Sequence, residues 1–170
     1  MENKKAFTLV ELLAVITILA IILAIVVPKA FRSIQDSKKR ACKIQLDYIE
    51  EGAATYFAKY RYKKVNGYKD ESGNDMTYDQ ASKVTTCDAD GKNCEVVGVD
   101  ITLEQIISAG ILKGKIINPL SDGKDANGNE VSKEFPVDTT IVNIANDDGS
   151  LVYTLKTCDA QKGCAPLVCE

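Results

Sequence analysis

The sequence predicts an α+β chain. A long N-terminal α-helix, transmembrane in its first half and amphipathic in its second, should pack on a small antiparallel β-sheet with a disulfide-stapled C-terminal region. Three observations carry this expectation. Residues 12–27 hold a single polar side chain, Thr17. Beyond them Cys42, Leu46, Ile49, Ala53, Tyr56 and Tyr60 recur every three or four residues, the period of one helix face. Late in the chain, apolar runs at 140–145 and 151–156 flank Asn146-Asp147-Asp148-Gly149-Ser150, the signature of a hairpin.

Taken in order, residues 1–6 form a short basic start, with Lys4 and Lys5. Residues 7–28 form the hydrophobic helix; at 1.5 Å per residue the 21 positions 7–27 span about 31 Å, the depth of a bilayer core. One carboxylate, Glu11, sits near its start. An ionised group there is costly unless it finds a partner. Pro28 deletes a backbone hydrogen bond, so a kink or local unwinding is expected at that point. The amphipathic helix continues over 29–62, making the whole about 84 Å long. Its polar face carries Lys43, Asp47, Glu50, Glu51 and Lys59, and its aromatic residues Tyr56, Phe57, Tyr60 and Tyr62 have the spacing of core rather than of a ligand site. The globular α+β head is expected over 63–170. Within it 66–93, rich in Gly, Asp and Asn, reads as loop. Thr102-x-x-Gln105 is a capping-box pattern for a short helix over 102–107, and Gly110 supplies its stop. The run KGKIINP at 113–119 then reads as a connection laid over the sheet.

Composition removes several classes of function. The formal net charge of −3 is too small to point to nucleic acid, and the chain has no histidine. No Gly-x-Ser-x-Gly elbow and no phosphate loop occur, so no enzyme is expected. Six cysteines, Cys42, Cys87, Cys94, Cys158, Cys164 and Cys169, allow 15 pairings. With no histidine and no Cys-x-x-Cys, disulfides in an oxidising compartment are favoured over zinc or reduced cytoplasmic thiols. CDADGKNC turns back on itself and pairs Cys87 with Cys94; Cys158 pairs with Cys164 or Cys169. The loop SDGKDANGNE offers Asp122, Asp125, Asn127, Asn129 and Glu130 as oxygen ligands for calcium, but without EF-hand spacing; Asp88, Asp90 and Glu95 form a sparser version. No other cofactor is implied.

Three readings of the N-terminus compete. A cleaved secretory signal peptide suits the basic start but lacks a small-x-small site, because Pro28 and Lys29 fall where it should be. A plain signal anchor leaves Glu11 unexplained. The third reading follows from the order basic leader, Ala6, Phe7, Thr8, Leu9, Val10, Glu11, Leu12, Leu13, a long apolar helix and Pro28. This N-terminus resembles that of the type IV pilin and pseudopilin family. The resemblance implies cleavage between Ala6 and Phe7 by a prepilin peptidase and N-methylation of Phe7. It also implies pairing of Glu11 with the Phe7 amine of a neighbour, and a role for Pro28 in a helix segment that melts in the filament. The residue before the cut is usually glycine in that family, and here it is Ala6.

The implied function is a structural subunit, polymerised into a type IV pilus for adhesion, motility or DNA uptake. The alternatives are a pseudopilin of a secretion or competence pseudopilus, or a signal-anchored extracytoplasmic domain. Implied partners are further copies of the chain, the peptidase, an assembly ATPase, a membrane platform protein and minor pilins. Localisation would be the cytoplasmic membrane, with a cytoplasmic N-terminus, and then an extracellular fibre. The charge count opposes that orientation, because Lys29, Arg32, Lys38, Lys39, Arg40 and Lys43 follow the apolar run.

Overall fold

A computed structural model describes residues 8–90, 94–124, 128–159 and 163–169. The chain divides into two compact units, Met1–Arg40 and Ala41–Glu170. Helix α1 (Leu9–Tyr60) enters both. It remains helical through Pro28, so the local unwinding expected there is not present; the ring removes only the one bond that would reach the Ala24 carbonyl. It ends at Tyr60, two residues short of the expected boundary, where the Lys63 amide closes a turn onto the Tyr60 carbonyl at 2.8 Å.

In the first unit every described residue is exposed. The second unit holds the core. Cys42, Ile49, Ala53 and Tyr56 of the apolar stripe are buried, together with Gly52 and Phe57, while Leu46 and Tyr60 are partly covered. Ile49, Ala53, Tyr56 and Phe57 share one core with a four-stranded antiparallel sheet of β5 (Val99–Thr102), β6 (Thr140–Asp147), β7 (Ser150–Asp159) and β8 (Gly163–Pro166), in the order β5-β6-β7-β8. Strand alternation puts two rows on the inner face: Ile101, Val142 and Leu155 in one, Val99, Ile144 and Tyr153 in the other. The hairpin turn is tighter than the five-residue linker suggests. Only Asp148 (φ 47°) and Gly149 (φ 88°) remain between the strands, both in the left-handed region that a two-residue turn of this kind requires. On the outer face the Asn143 side chain donates to the Asp100 carboxylate at 2.7 Å and to the Val97 carbonyl at 3.0 Å, which ties the chain before β5 to β6.

The segment read as loop at 66–93 contains structure. Here β1 (Lys64–Lys69) pairs with β2 (Asp75–Thr77), α2 (Tyr78–Ala81) follows, and β3 (Thr85–Cys87) pairs with β4 (Cys94–Val96). The polar residues are what build it. Asp70 accepts from the Ser72 and Asn74 amides at 2.9 and 2.8 Å and so shapes the β1–β2 turn, and Thr77 with Gln80 forms a capping box on α2. Helix α3 (Leu103–Ser108) has the expected box at Thr102 and Gln105, and buries Leu103 and Ile106. After it Leu112, Ile116 and Phe135 complete the core.

Three disulfides close the second unit: Cys87–Cys94, Cys158–Cys164 and Cys42–Cys169. The first two link residues directly opposite on paired strands. The third joins α1 to the segment after β8 across 127 positions of sequence.

Candidate processing and assembly segment

The start of α1 has its own geometry. Thr8 is the N-cap: its hydroxyl accepts from the Glu11 amide at 3.3 Å. In return one Glu11 carboxylate oxygen accepts from the Thr8 amide at 2.9 Å and from the Thr8 hydroxyl at 3.0 Å. This reciprocal pattern is a capping box, a feature worth about 0.5–2 kcal/mol to a helix start. The sequence carried its signal, Thr-x-x-Glu, in the same form as Thr102-x-x-Gln105; reading Glu11 only as a charge in hydrocarbon obscured it. The consequence is electrostatic. A carboxylate in the first turn lies beside the positive end of the helix dipole. Glu11 therefore has one partner within its own chain, and its box faces the amide next to Phe7. Ala6 and Phe7 themselves lie outside the described residues.

From Leu12 to Val27 the helix is apolar on every side. Leu12, Leu13, Ile16, Leu19, Ile22 and Leu23 are each half exposed or more. The hydroxyl of Thr17, the one polar side chain, donates to the Ala14 carbonyl at 2.8 Å, so it presents no unpaired donor to an apolar surrounding. The helix is long and apolar enough to cross a membrane. Residues 1–27 match the model of the prokaryotic N-terminal methylation motif. The chain carries the prepilin-type signature of type IV pilins and pseudopilins. No curated protein and no solved structure matches it. The prepilin motif implies processing by a prepilin peptidase and assembly into filaments, and together with the apolar helix it fits membrane anchoring.

The other candidate residues are placed as follows. Pro28 lies within α1. Of the calcium candidates, Asp122, Asn129 and Glu130 are exposed, while Asp125 and Asn127 lie outside the described residues. The Asp122 carboxylate accepts from the Lys124 amide at 3.0 Å, and the backbones of Lys124 and Glu130 form an isolated antiparallel β-bridge. Among the described residues no three acidic or cysteine side chains converge as a metal site would require. In the second unit the electrostatic centre is Asp79, which is paired with both Arg61 and Lys83. Hydrogen bonds from these two cations hold its carboxyl below the ordinary value. Tyr56 and Tyr78 meet hydroxyl to hydroxyl at 3.4 Å, and burial pushes the Tyr78 phenol up.

Proposed function

We propose that this chain is the precursor of the structural subunit of a type IV pilus. It is cut between Ala6 and Phe7, methylated on the Phe7 amine, held in the cytoplasmic membrane by α1, and polymerised into an extracellular fibre. No catalytic role is assigned to it. The observation that carries the reading is the joining of the methylation motif at 1–27 to a helix whose apolar surface stays exposed in the isolated chain. Such a surface is unstable in water. It is stable in a bilayer, or in a bundle of its own copies.

In this mechanism cleavage creates an ammonium group with an ordinary pKa of about 7.7–8.0, charged at neutral pH. Glu11 of an incoming subunit then exchanges its Thr8 donors for that ammonium on a neighbour. In a low-dielectric bundle the exchange favours the ion pair, because opposite charges attract far more strongly there than in water. A disulfide-closed head suits the oxidising exterior of the cell. Partners follow from the motif: the peptidase, an assembly ATPase, a membrane platform protein and minor pilins.

The test is mass spectrometry of the mature N-terminus together with electron microscopy of sheared surface material. A chain starting at N-methylated Phe7 within long filaments is the expected result. An intact Met1 in the membrane overturns the reading, and a processed chain without long filaments turns it to a pseudopilus. Glu11→Gln should leave membrane insertion unchanged and reduce filament yield.

A further inference from the structure

The four-stranded sheet resists strand addition at β5 and β8, but not along all of β7. In β5 the amides that point away from β6 have acceptors of their own. Asp100 donates to the Tyr68 hydroxyl at 3.1 Å, and Thr102 to the Gln105 side chain at 3.0 Å. In β8 the outward positions are the even residues, because Leu167 donates inward to the Leu155 carbonyl at 3.0 Å and pairing alternates along a strand. Pro166 holds one of these positions and has no N–H, which leaves Cys164 as the one outward donor of β8. Strand β7 outruns β8: its ten residues face only four, so Leu151–Thr154 have no strand on that side. Which groups are open follows from the hairpin. Its two-residue turn makes Asp147 and Ser150 a hydrogen-bonded pair, so Val152 and Thr154 also bond to β6. The N–H and C=O of Leu151 and Tyr153 therefore point outward, and among the described residues they meet no partner.

Beside this edge runs a groove of about 270 Å³, between Leu151 and Tyr153 on one side and Ala54, Phe57, Ala58 and Arg61 on the other. Arg61 is the one charged side chain that lines it. Its guanidinium is paired with Asp79, which also takes Lys83, so two cations share one carboxylate. The Arg61 Nε is buried and has no acceptor.

We infer that this groove takes an extended peptide segment of another protein, added as a strand on the Leu151–Tyr153 edge, with an apolar side chain in the groove and a carboxylate at Arg61. The inference does not depend on the filament reading. Two outward N–H and C=O pairs, two residues apart, match the repeat of an extended backbone. The groove is smaller than the about 300–1,000 Å³ of small-molecule pockets, and it suits a side chain of such a strand. Two cations against one carboxylate, with no acidic side chain in the lining, make a carboxylate the complement. A second copy paired edge to edge is the poorer occupant, because Leu151–Thr154 brings no carboxylate to Arg61. The closure of β5 and β8 by Tyr68, Gln105 and Pro166 directs an incoming strand to this one stretch.

The experiment uses the full chain in detergent and the fluorescent peptide acetyl-Thr-Val-Thr-Leu-Asp. Anisotropy should show saturable binding. At saturation the Leu151 and Tyr153 amides should exchange about tenfold more slowly, read by nuclear magnetic resonance. Backbone N-methylation of the peptide's Val and Leu, or of its two Thr, should abolish binding for one set and spare it for the other, because alternate amides face the edge. Ala58→Leu, at an exposed helix position that fills the groove, should weaken binding about tenfold with the circular dichroism unchanged. Arg61→Gln should weaken it about tenfold, and replacing the peptide's Asp by Asn should then have no further effect. The inference is overturned if millimolar peptide shows no saturable binding, if both methylated peptides bind alike, or if Ala58→Leu binds as wild type. It is also overturned if hexanoate slows the same amides equally, which assigns the groove to a small apolar acid. Slowing with chain concentration alone assigns the edge to a second copy and overturns it too.

Discussion

Met1–Arg40 and Ala41–Glu170 treat apolar side chains in opposite ways. The first leaves its described residues exposed, with isoleucine and leucine on all sides of one helix. The second buries Ile49, Ile101, Leu103, Ile106 and Ile144 completely and adds three disulfides. The difference teaches where each part obtains its stability. The second unit carries its solvent-excluding core within the chain, whereas the first needs an external apolar phase, lipid or protein. Substitutions of buried residues in the second unit should therefore read out as unfolding, and substitutions of apolar residues in the first as lost insertion or assembly. A convenient probe exists, because all seven tyrosines and no tryptophan lie beyond residue 40. Tyrosine circular dichroism of the detergent-solubilised chain thus follows the second unit alone.

The largest expected effect that tests this contrast is removal of Cys42–Cys169. Its 127-residue separation makes the cross-link worth about 5 kcal/mol in chain-entropy terms, against about 2 kcal/mol for Cys158–Cys164, which closes a loop of six. Denaturant unfolding of Cys42→Ser/Cys169→Ser should show the larger loss, with membrane insertion unchanged. Equal losses for the two pairs would remove loop length as the cause.

Next in size are two glycines of the second unit. Gly98 has φ +73°, and an added Cβ would lie 2.6 Å from the Ile144 carbonyl oxygen, a backbone atom held in the sheet. Gly98→Ala should cost about 2–4 kcal/mol. Gly52 would place a Cβ 2.7 Å from the Leu112 side chain, which can turn away, so Gly52→Ala should cost about 1 kcal/mol. The same tyrosine signal ranks them, and a reversed order would mean that the sheet yields more easily than the side chain.

The smallest effect is a pH dependence confined to the second unit. Asp79 has a folded pKa below its unfolded value, so its ion pairs stabilise the fold above about pH 4, and that contribution is lost as pH falls through the folded pKa. The stability advantage of wild type over Asp79→Asn should shrink between pH 6 and pH 3. An advantage that stays constant would assign the role of Asp79 to neutral hydrogen bonding.

Legibility followed the range of the interactions. The apolar helix, the stripe from Cys42 to Tyr60, the box at Thr102 and Gln105 and the β6–β7 hairpin rest on neighbours a few residues apart, and each could be read. The strands at 64–87 were hidden because a single buried side chain, Val65, leaves no alternation in β1, and because the turn residues Asp70 and Asn74 dominate the local composition. The bond between Cys42 and Cys169 had no local signal, since only the folded core brings the two together. At the candidate site the opposite error occurred. The Thr8–Glu11 box was local and legible, but the unusual charge drew attention from the ordinary cap.

The disulfide between Cys42 and Cys169 also decides how this molecule bears tension. A pull entering along α1 reaches Cys42 and passes straight to Cys169, across a Cα–Cα gap of 5.9 Å. The 127 positions between them, roughly 430 Å of chain if drawn out, are taken out of the load path. An oxidised chain stretched between its helix and the segment after β8 has almost no slack, and a reduced one has all of it.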